Sequence, residues 1–322
     1  VGVKINTGTL TSFSQNIIFE ISGTQGAVGT PGNSGGPGGD GGWGGPGNEA
    51  VPQGGGGGAG AAAGLSGRAG NGGNGGSAYG LWLNNVTVSS LEASSFSLIV
   101  GGPGRDGGNG SLANVPGGNG GIVGSYPNEI DPNVEGGNGG VGSAGGNGGD
   151  GGIAGLAYGI FVTQAKGSMT LVNNLIYNVF APSGANGGVG GTGGAGGRGG
   201  SGIPLNGPSV RGGDGGKGGA AGNGGTGALN VSGLTLFNAY GISSSSMTNS
   251  TWTVTNNTIA NISSDGTVPA GGSKGIPGVG GLGGTGDPAG RTATDGTIGV
   301  NGNPGVRGET VGYYSGPYVT SD

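Results

Sequence analysis

Short stretches of alternating apolar and polar residues return about every eighty positions, separated by long runs that are almost free of apolar side chains. Each stretch opens on an aliphatic or aromatic residue, a glycine and a hydrophobic residue: Val1-Gly-Val3, Tyr79-Gly-Leu81, Tyr158-Gly-Ile160, Tyr240-Gly-Ile242 and Val311-Gly-Tyr313. The anchor glycines are 78, 79, 82 and 71 residues apart, which makes the pattern an internal repeat. After each of the first four anchors come two further alternating segments, such as Ser168-Met-Thr-Leu-Val172 and Leu175-Ile-Tyr-Asn-Val-Phe180. Period-two alternation and β-branched enrichment predict strands, three to a module.

The intervening runs have period three. Gly187-Gly-Val-Gly-Gly-Thr-Gly-Gly-Ala-Gly-Gly-Arg-Gly-Gly-Ser201 keeps a Gly-Gly-X register throughout. A three-residue repeat without internal hydrogen bonds is the signature of an extended polyproline-II-type helix, rising about 3.1 Å per residue. Two bare positions in three let neighbouring backbones approach and bond to one another. Each run is broken once by a Pro/Asn/acidic or similar segment, at 48–53, 125–133, 203–208 and 291–295, where we expect the chain to reverse. The result is eight glycine-rich legs of about twenty residues, each roughly 60 Å long. An isolated leg does not repay its ordering entropy of about 1–2 kcal/mol per residue. Several legs bonded side by side do.

The predicted fold is therefore all-β with polyglycine-II and little or no α-helix. Four three-stranded, β-solenoid-like modules (1–22, 78–100, 157–182, 229–264) alternate with glycine-rich hairpins (23–77, 101–156, 183–228, 265–310). A terminal strand at 311–322 is expected to pair with a neighbour.

Composition sharpens this. The chain has 322 residues, of which 97 are glycine and 8% are charged, too polar and too bare for a conventional core of that size. Sixteen prolines and glycine at two positions in three argue against collagen, which needs one glycine in three and far more imino acid. With neither cysteine nor histidine, disulfides, thiolate chemistry and the commonest general base and metal ligand are unavailable. A net charge of −5 and scattered basic residues argue against nucleic-acid binding. No apolar run reaches membrane-spanning length. The start at Val1 reads as a processed product or a fragment.

Candidate chemistry is sparse. GxGxxG occurs by chance in so glycine-rich a chain, and Lys217 lacks the Ser/Thr of a P-loop. The GGxGxD starts at 35–40 and 145–150 carry Gly42 and Gly152 where a calcium-binding nonapeptide repeat needs an aliphatic residue. Glu129, Asp131 and Glu135 form an acidic turn with oxygen donors suited to a hard cation, and a solvated turn is the simpler reading. Glu20 and Glu92 are the carboxylates in or near strands, and with Lys4 and Lys166 they match no repeated position. No enzyme activity and no cofactor are expected. Six N-x-Ser/Thr sites (Asn85, Asn109, Asn230, Asn249, Asn256, Asn261) are about what composition predicts. Trp43, alone in a glycine run, either covers the strand layer or contacts a neighbouring chain.

The stretch Trp252-Thr-Val-Thr-Asn-Asn-Thr-Ile-Ala-Asn-Ile262, with Asn173-Asn174 and Asn84-Asn85 at similar turns, resembles rungs of right-handed parallel β-helices of the pectin-lyase type. The glycine triplets resemble polyglycine-II proteins: tail-tip adhesins of some T-even phages, snow-flea antifreeze proteins and glycine-rich mycobacterial surface proteins. That likeness covers about 200 residues and is architectural, since those proteins lack the regular strand modules. It implies a bundle and does not transfer a function.

The leading expectation is a structural subunit of an extracellular filament or surface assembly. It would polymerise head to tail with copies of itself through Val1, Val3 and Ile5 at one end and Val311, Tyr313, Tyr314 and Tyr318 at the other. On this reading, deleting 311–322 abolishes assembly. The alternative is a receptor-binding adhesin, of a phage tail tip or a cell surface, contacting a cell-surface glycan or receptor through the turns at 48–53, 125–134 and 203–210. An ice-binding protein is third.

Overall fold

The computed structural model describes residues 1–36, 38–42, 58–112, 115–122, 136–201, 213–228, 237–245, 251–265, 267–284, 297–298, 300–301, 303–304 and 309–314. Eleven strands form two parallel sheets, with no α-helix among the described residues. They are β1 (Val3–Ser14), β2 (Ile17–Ser22), β3 (Ala78–Glu92), β4 (Ser95–Val100), β5 (Ala157–Thr163), β6 (Met169–Val172), β7 (Leu175–Ala181), β8 (Phe237–Ser245), β9 (Trp252–Thr255), β10 (Thr258–Ser264) and β11 (Glu309–Tyr314).

Equivalent strands of successive modules lie side by side. The larger sheet runs β11-β8-β5-β3, with β1 on β3 and with β3-β6-β9 as a second branch; the smaller runs β10-β7-β4-β2. Val3 pairs with Leu81, Leu81 with Ile160 and Ile160 with Ile242, so each module is one rung. The core lies between the sheets. Leu81, Ile160 and Ile242 face it from one side, and Phe96, Ile99, Ile176 and Val179 from the other, all fully buried. The anchor glycines have a steric reason to be glycine. A Cβ on Gly80 would lie 2.6 Å from the Gly159 carbonyl oxygen and 2.7 Å from Ile99 Cδ1.

The three-strand expectation holds for modules 3 and 4. In modules 1 and 2 the first two segments fuse into β1 and β3, because the positive-φ residues that interrupt them, Thr7 with Gly8 and Asn85, do not break the ladder. Module 3 breaks at Gln164–Ser168, where Gly167 has φ +76°. Asn173 and Asn256 are left-handed at the turns where asparagine tolerance predicts it. A further left-handed row runs through the middle of the last strand of each module, at Glu20, Leu98, Asn178 and Asn261.

The 311–322 strand differs from expectation. Its described part, β11, pairs with β8 of its own chain, with Val311 opposite Tyr240 and Tyr313 opposite Ile242. The physical reason is the repeat itself: the fifth anchor takes the next seat in the sheet that the first four built.

Candidate functional surfaces: the bonded glycine segments and the open stack ends

The glycine-rich segments 23–42, 58–77, 101–121, 136–156, 182–201, 213–228 and 267–284, with the described residues of 297–304, are numbered 1 to 8 in chain order. Odd-numbered segments bond in parallel to the next odd one, and even to the next even. Gly107, Gly110, Gly117 and Gly120 of segment 3 donate to Asn186, Val189, Ala195 and Arg198 of segment 5. Consecutive segments bond antiparallel: Gly188, Gly191, Gly194, Gly197 and Gly200 donate to Gly149, Gly146, Ser143, Gly140 and Gly137. The segments thus form two layers of parallel chains, zipped to each other by antiparallel bonds. A triplet uses one glycine for each direction and leaves the third residue on the outer face.

That third residue does more than face solvent. Asn109 Oδ1 accepts the Val189 N–H at 3.0 Å, Asn119 Oδ1 the Arg198 N–H at 3.0 Å, and Asn138 Oδ1 the Asp214 N–H at 2.9 Å. Asn147 Oδ1 takes the Asn223 N–H, and Asn223 Oδ1 takes that of Val300. Outer amides that no glycine carbonyl reaches are satisfied from the rung before. This explains why Asn and Asp recur at X, a role the sequence reading missed; Asn or Asp recurring in triplets one repeat apart was the available signal. Asp150 accepts from the Thr226 N–H and hydroxyl and pairs with Arg68 at 3.1 Å. Burial pushes its pKa up, but the Thr226 bonds and the Arg68 charge outweigh it and hold the carboxyl below its usual range.

On the strand modules the anchor tyrosines stack. The Tyr79, Tyr158 and Tyr240 rings lie 5.0 and 4.8 Å apart and within 3° of parallel. Trp82 and Phe161 close against them, and Lys4 Nζ sits 3.7 Å from the Trp82 ring centroid. Burial, then the neighbouring phenols, pushes the Tyr158 hydroxyl pKa well up. Inside the turn before the last strands runs a second polar ladder. Asn174, 1% exposed, accepts the Ser94 N–H at 3.1 Å and donates to the Leu91 carbonyl at 2.9 Å and to Asn257 Oδ1 at 2.8 Å.

Among the described residues the stack is open at both ends: β1 and β2 have no partner beyond β3 and β4, and β9 and β10 none beyond β6 and β7. The first rung exposes Ile17 (76%), Phe19 (55%) and Val1 (53%).

The sequence-derived candidates scatter. Glu129, Asp131, Glu135, Trp43, Asn230, Asn249 and Tyr318 lie outside the described residues, as do the turns at 48–53, 125–134 and 203–210. Glu20 and Glu92 are exposed on different rungs, with Ser90 Oγ donating to Glu92. Lys4 is engaged with Trp82, and Lys166 is exposed. Val1, Val3 and Ile5 lie on the open edge of the first rung; Val311, Tyr313 and Tyr314 belong to β11. Of the sequons, Asn109, Asn256 and Asn261 are exposed and Asn85 is half-buried. Among the described residues there is no cluster of three or more acidic, His or Cys residues fit for a metal and no helix long and apolar enough to cross a membrane.

No protein-family profile matches the chain, and no curated protein does. Among solved structures it is similar to a springtail antifreeze protein from Granisotoma rainieri, described as a bundle of nine polyproline type II helices whose crystal waters match the ice lattice. That protein is 18% identical over 89% of this chain and 94% of its own, with a TM-score of 0.14.

Proposed function

We propose that this chain is a structural, non-enzymatic repeat unit of the cell surface or extracellular space. On this reading it is a polyglycine-II bundle carried on a β-solenoid spine, stacking end to end with copies of itself. The observation that carries the reading is the pair of open ends. Among the described residues both sheets end in strands paired on one side alone, and the first rung presents Ile17 and Phe19 to solvent. Repeat arrays that stay single are capped by polar terminal repeats, and bare sheet edges recruit further strands. On this reading the rung-to-rung contacts inside the chain serve as the template for a further rung.

That register makes the test specific. Continuing it across two copies places Phe19 of one opposite Ala260 of the other, since Ile17, Ser95, Leu175 and Thr258 pair in series. Neighbouring strands lie about 4.8 Å apart, within reach of a disulfide, and the chain has no cysteine of its own. The double variant Phe19→Cys/Ala260→Cys, oxidised at high concentration, is expected to give a ladder of linked oligomers on a non-reducing gel. A single monomer band at every concentration, for this chain and for forms shortened at either terminal strand, would rule the stacking out.

A second reading, the adhesin, is favoured by where the connections leave the bundle. Gly42, Gly121, Gly200 and Gly284, each close to one of the four connections, lie side by side at one end, as loops on a rigid scaffold do in binding proteins. Glycan or cell binding by a chain that never links would favour this reading. Thermal hysteresis in the same preparation would favour the ice-binding one.

A further inference from the structure

Two strands of this chain fit one seat. Following the register, Val3 pairs with Leu81, Leu81 with Ile160, Ile160 with Ile242 and Ile242 with Tyr313. Val3 and Tyr313 therefore hold equivalent positions four rungs apart. Within a single chain there is no conflict: β1 lies on β3 and β11 on β8.

In an end-to-end stack there is. If the first rung of an incoming copy continues the register, its Phe13 falls opposite Val254 of β9, its Phe19 opposite Ala260 of β10, and its Val3 opposite Ile242 of β8. The first two seats are open among the described residues. The third holds β11. Between β8 of one copy and β3 of the next there is room for one strand, and two are present.

We propose that β11 is a cap strand: it blocks in-register addition of a second copy of this chain, and assembly begins when β11 or residues 3–6 of the incoming copy give up the shared seat. If residues 3–6 yield, β11 is flanked by β8 of its own chain and β3 of the next, which is donor-strand addition at a sheet edge. If β11 yields, β1 of the incoming copy pairs directly on β8. The two routes leave the same contacts at β9 and β10. The proposal rests on the stacking reading above and reverses the effect that the sequence alone assigns to the last residues, since removing them should promote assembly.

The test compares three forms of the Phe19→Cys/Ala260→Cys chain by the concentration at which half of it becomes linked. The parent keeps both strands, the second form lacks 309–322 and the third lacks 1–6. Each deletion vacates the contested seat from one side, so each is expected to lower that concentration at least tenfold. A Thr310→Pro/Tyr313→Pro variant at full length should act in the same direction, because proline removes a ladder N–H. Far-ultraviolet circular dichroism reports which forms fold, and the 1–6 deletion and proline variants carry the test if loss of 309–322 unfolds the chain. Linking of the parent that is as ready as that of the folded variants would overturn the cap and leave stacking intact. Absence of linking in all of them would overturn both.

Discussion

Gly197→Ala is expected to cost on the order of 3 kcal/mol or more, whereas Gly39→Ala is expected to change stability by less than about 0.5 kcal/mol. Both are glycines of the triplet repeat. Gly197 lies where segments 3, 4 and 5 meet and donates to the Gly140 carbonyl at 2.8 Å. A Cβ there would stand 2.0 Å from the Gly118 carbonyl oxygen and 2.7 Å from that of Gly117. Both obstacles are backbone held by their own hydrogen bonds, so the methyl group has to push whole segments apart. Gly39 lies in segment 1, at the edge of the bundle, and nothing falls within 4 Å of its Cβ position. There alanine mainly narrows the unfolded ensemble, which is neutral or slightly stabilising. Thermal denaturation followed by circular dichroism separates the two. Equal melting temperatures would mean that segments 3 to 5 are not packed backbone to backbone.

The second large effect belongs to the strand modules. Asn174→Leu is expected to destabilise the chain by about 3 kcal/mol, because it strands the Ser94 N–H and the Leu91 carbonyl in a dry turn at about 1–3 kcal/mol each. Leucine matches asparagine in side-chain branching and is somewhat larger, so no cavity opens and the loss comes from the hydrogen bonds together with some overpacking. Asn16 holds the equivalent place on the first rung, where it is half-buried and its Nδ2 donates to Ser14 of its own turn. Asn16→Leu should therefore cost less than half as much in guanidinium denaturation. If the two substitutions prove equal, the ladder is not the source of the stability.

The strand repeat was legible in the sequence because its determinants are local. Alternation marks the strands, the anchor glycine marks a close approach, and Asn173 and Asn256 mark left-handed turns. The left-handed row inside the last strands was less visible. Asn178 and Asn261 hint at it, but Glu20 and Leu98 at the same place carry no such signal, and the rung above and below sets their backbone. The outer Asn and Asp bonds were hidden for a similar reason. Asn119 looks like any solvated loop residue until the Arg198 amide is known to lie beside it, and that depends on the offset between segments. The in-chain seat of β11 was missed because a fifth anchor at the chain's end reads equally as a rung or as a sticky end.

The outer Asn bonds bear on how the molecule ages. Asn-Gly steps are the sites where proteins most readily deamidate, as the glycine nitrogen attacks the side-chain amide carbon to close a succinimide. This chain has ten such steps, and eight lie wholly within the described residues, at Asn71, Asn74, Asn109, Asn119, Asn138, Asn147, Asn186 and Asn223. At each of them the attacking nitrogen is already committed: Gly72, Gly75, Gly110, Gly120, Gly139, Gly148, Gly187 and Gly224 donate to the neighbouring segment. The amide oxygens are held as well, by the N–H groups of Asp150, Ile153, Val189, Arg198, Asp214, Asn223, Ala270 and Val300. At these eight steps folding thus locks both reactants of the decay reaction, and segments that look chemically short-lived become durable. Isoaspartate forming as fast in the folded chain as in the denatured one would contradict this.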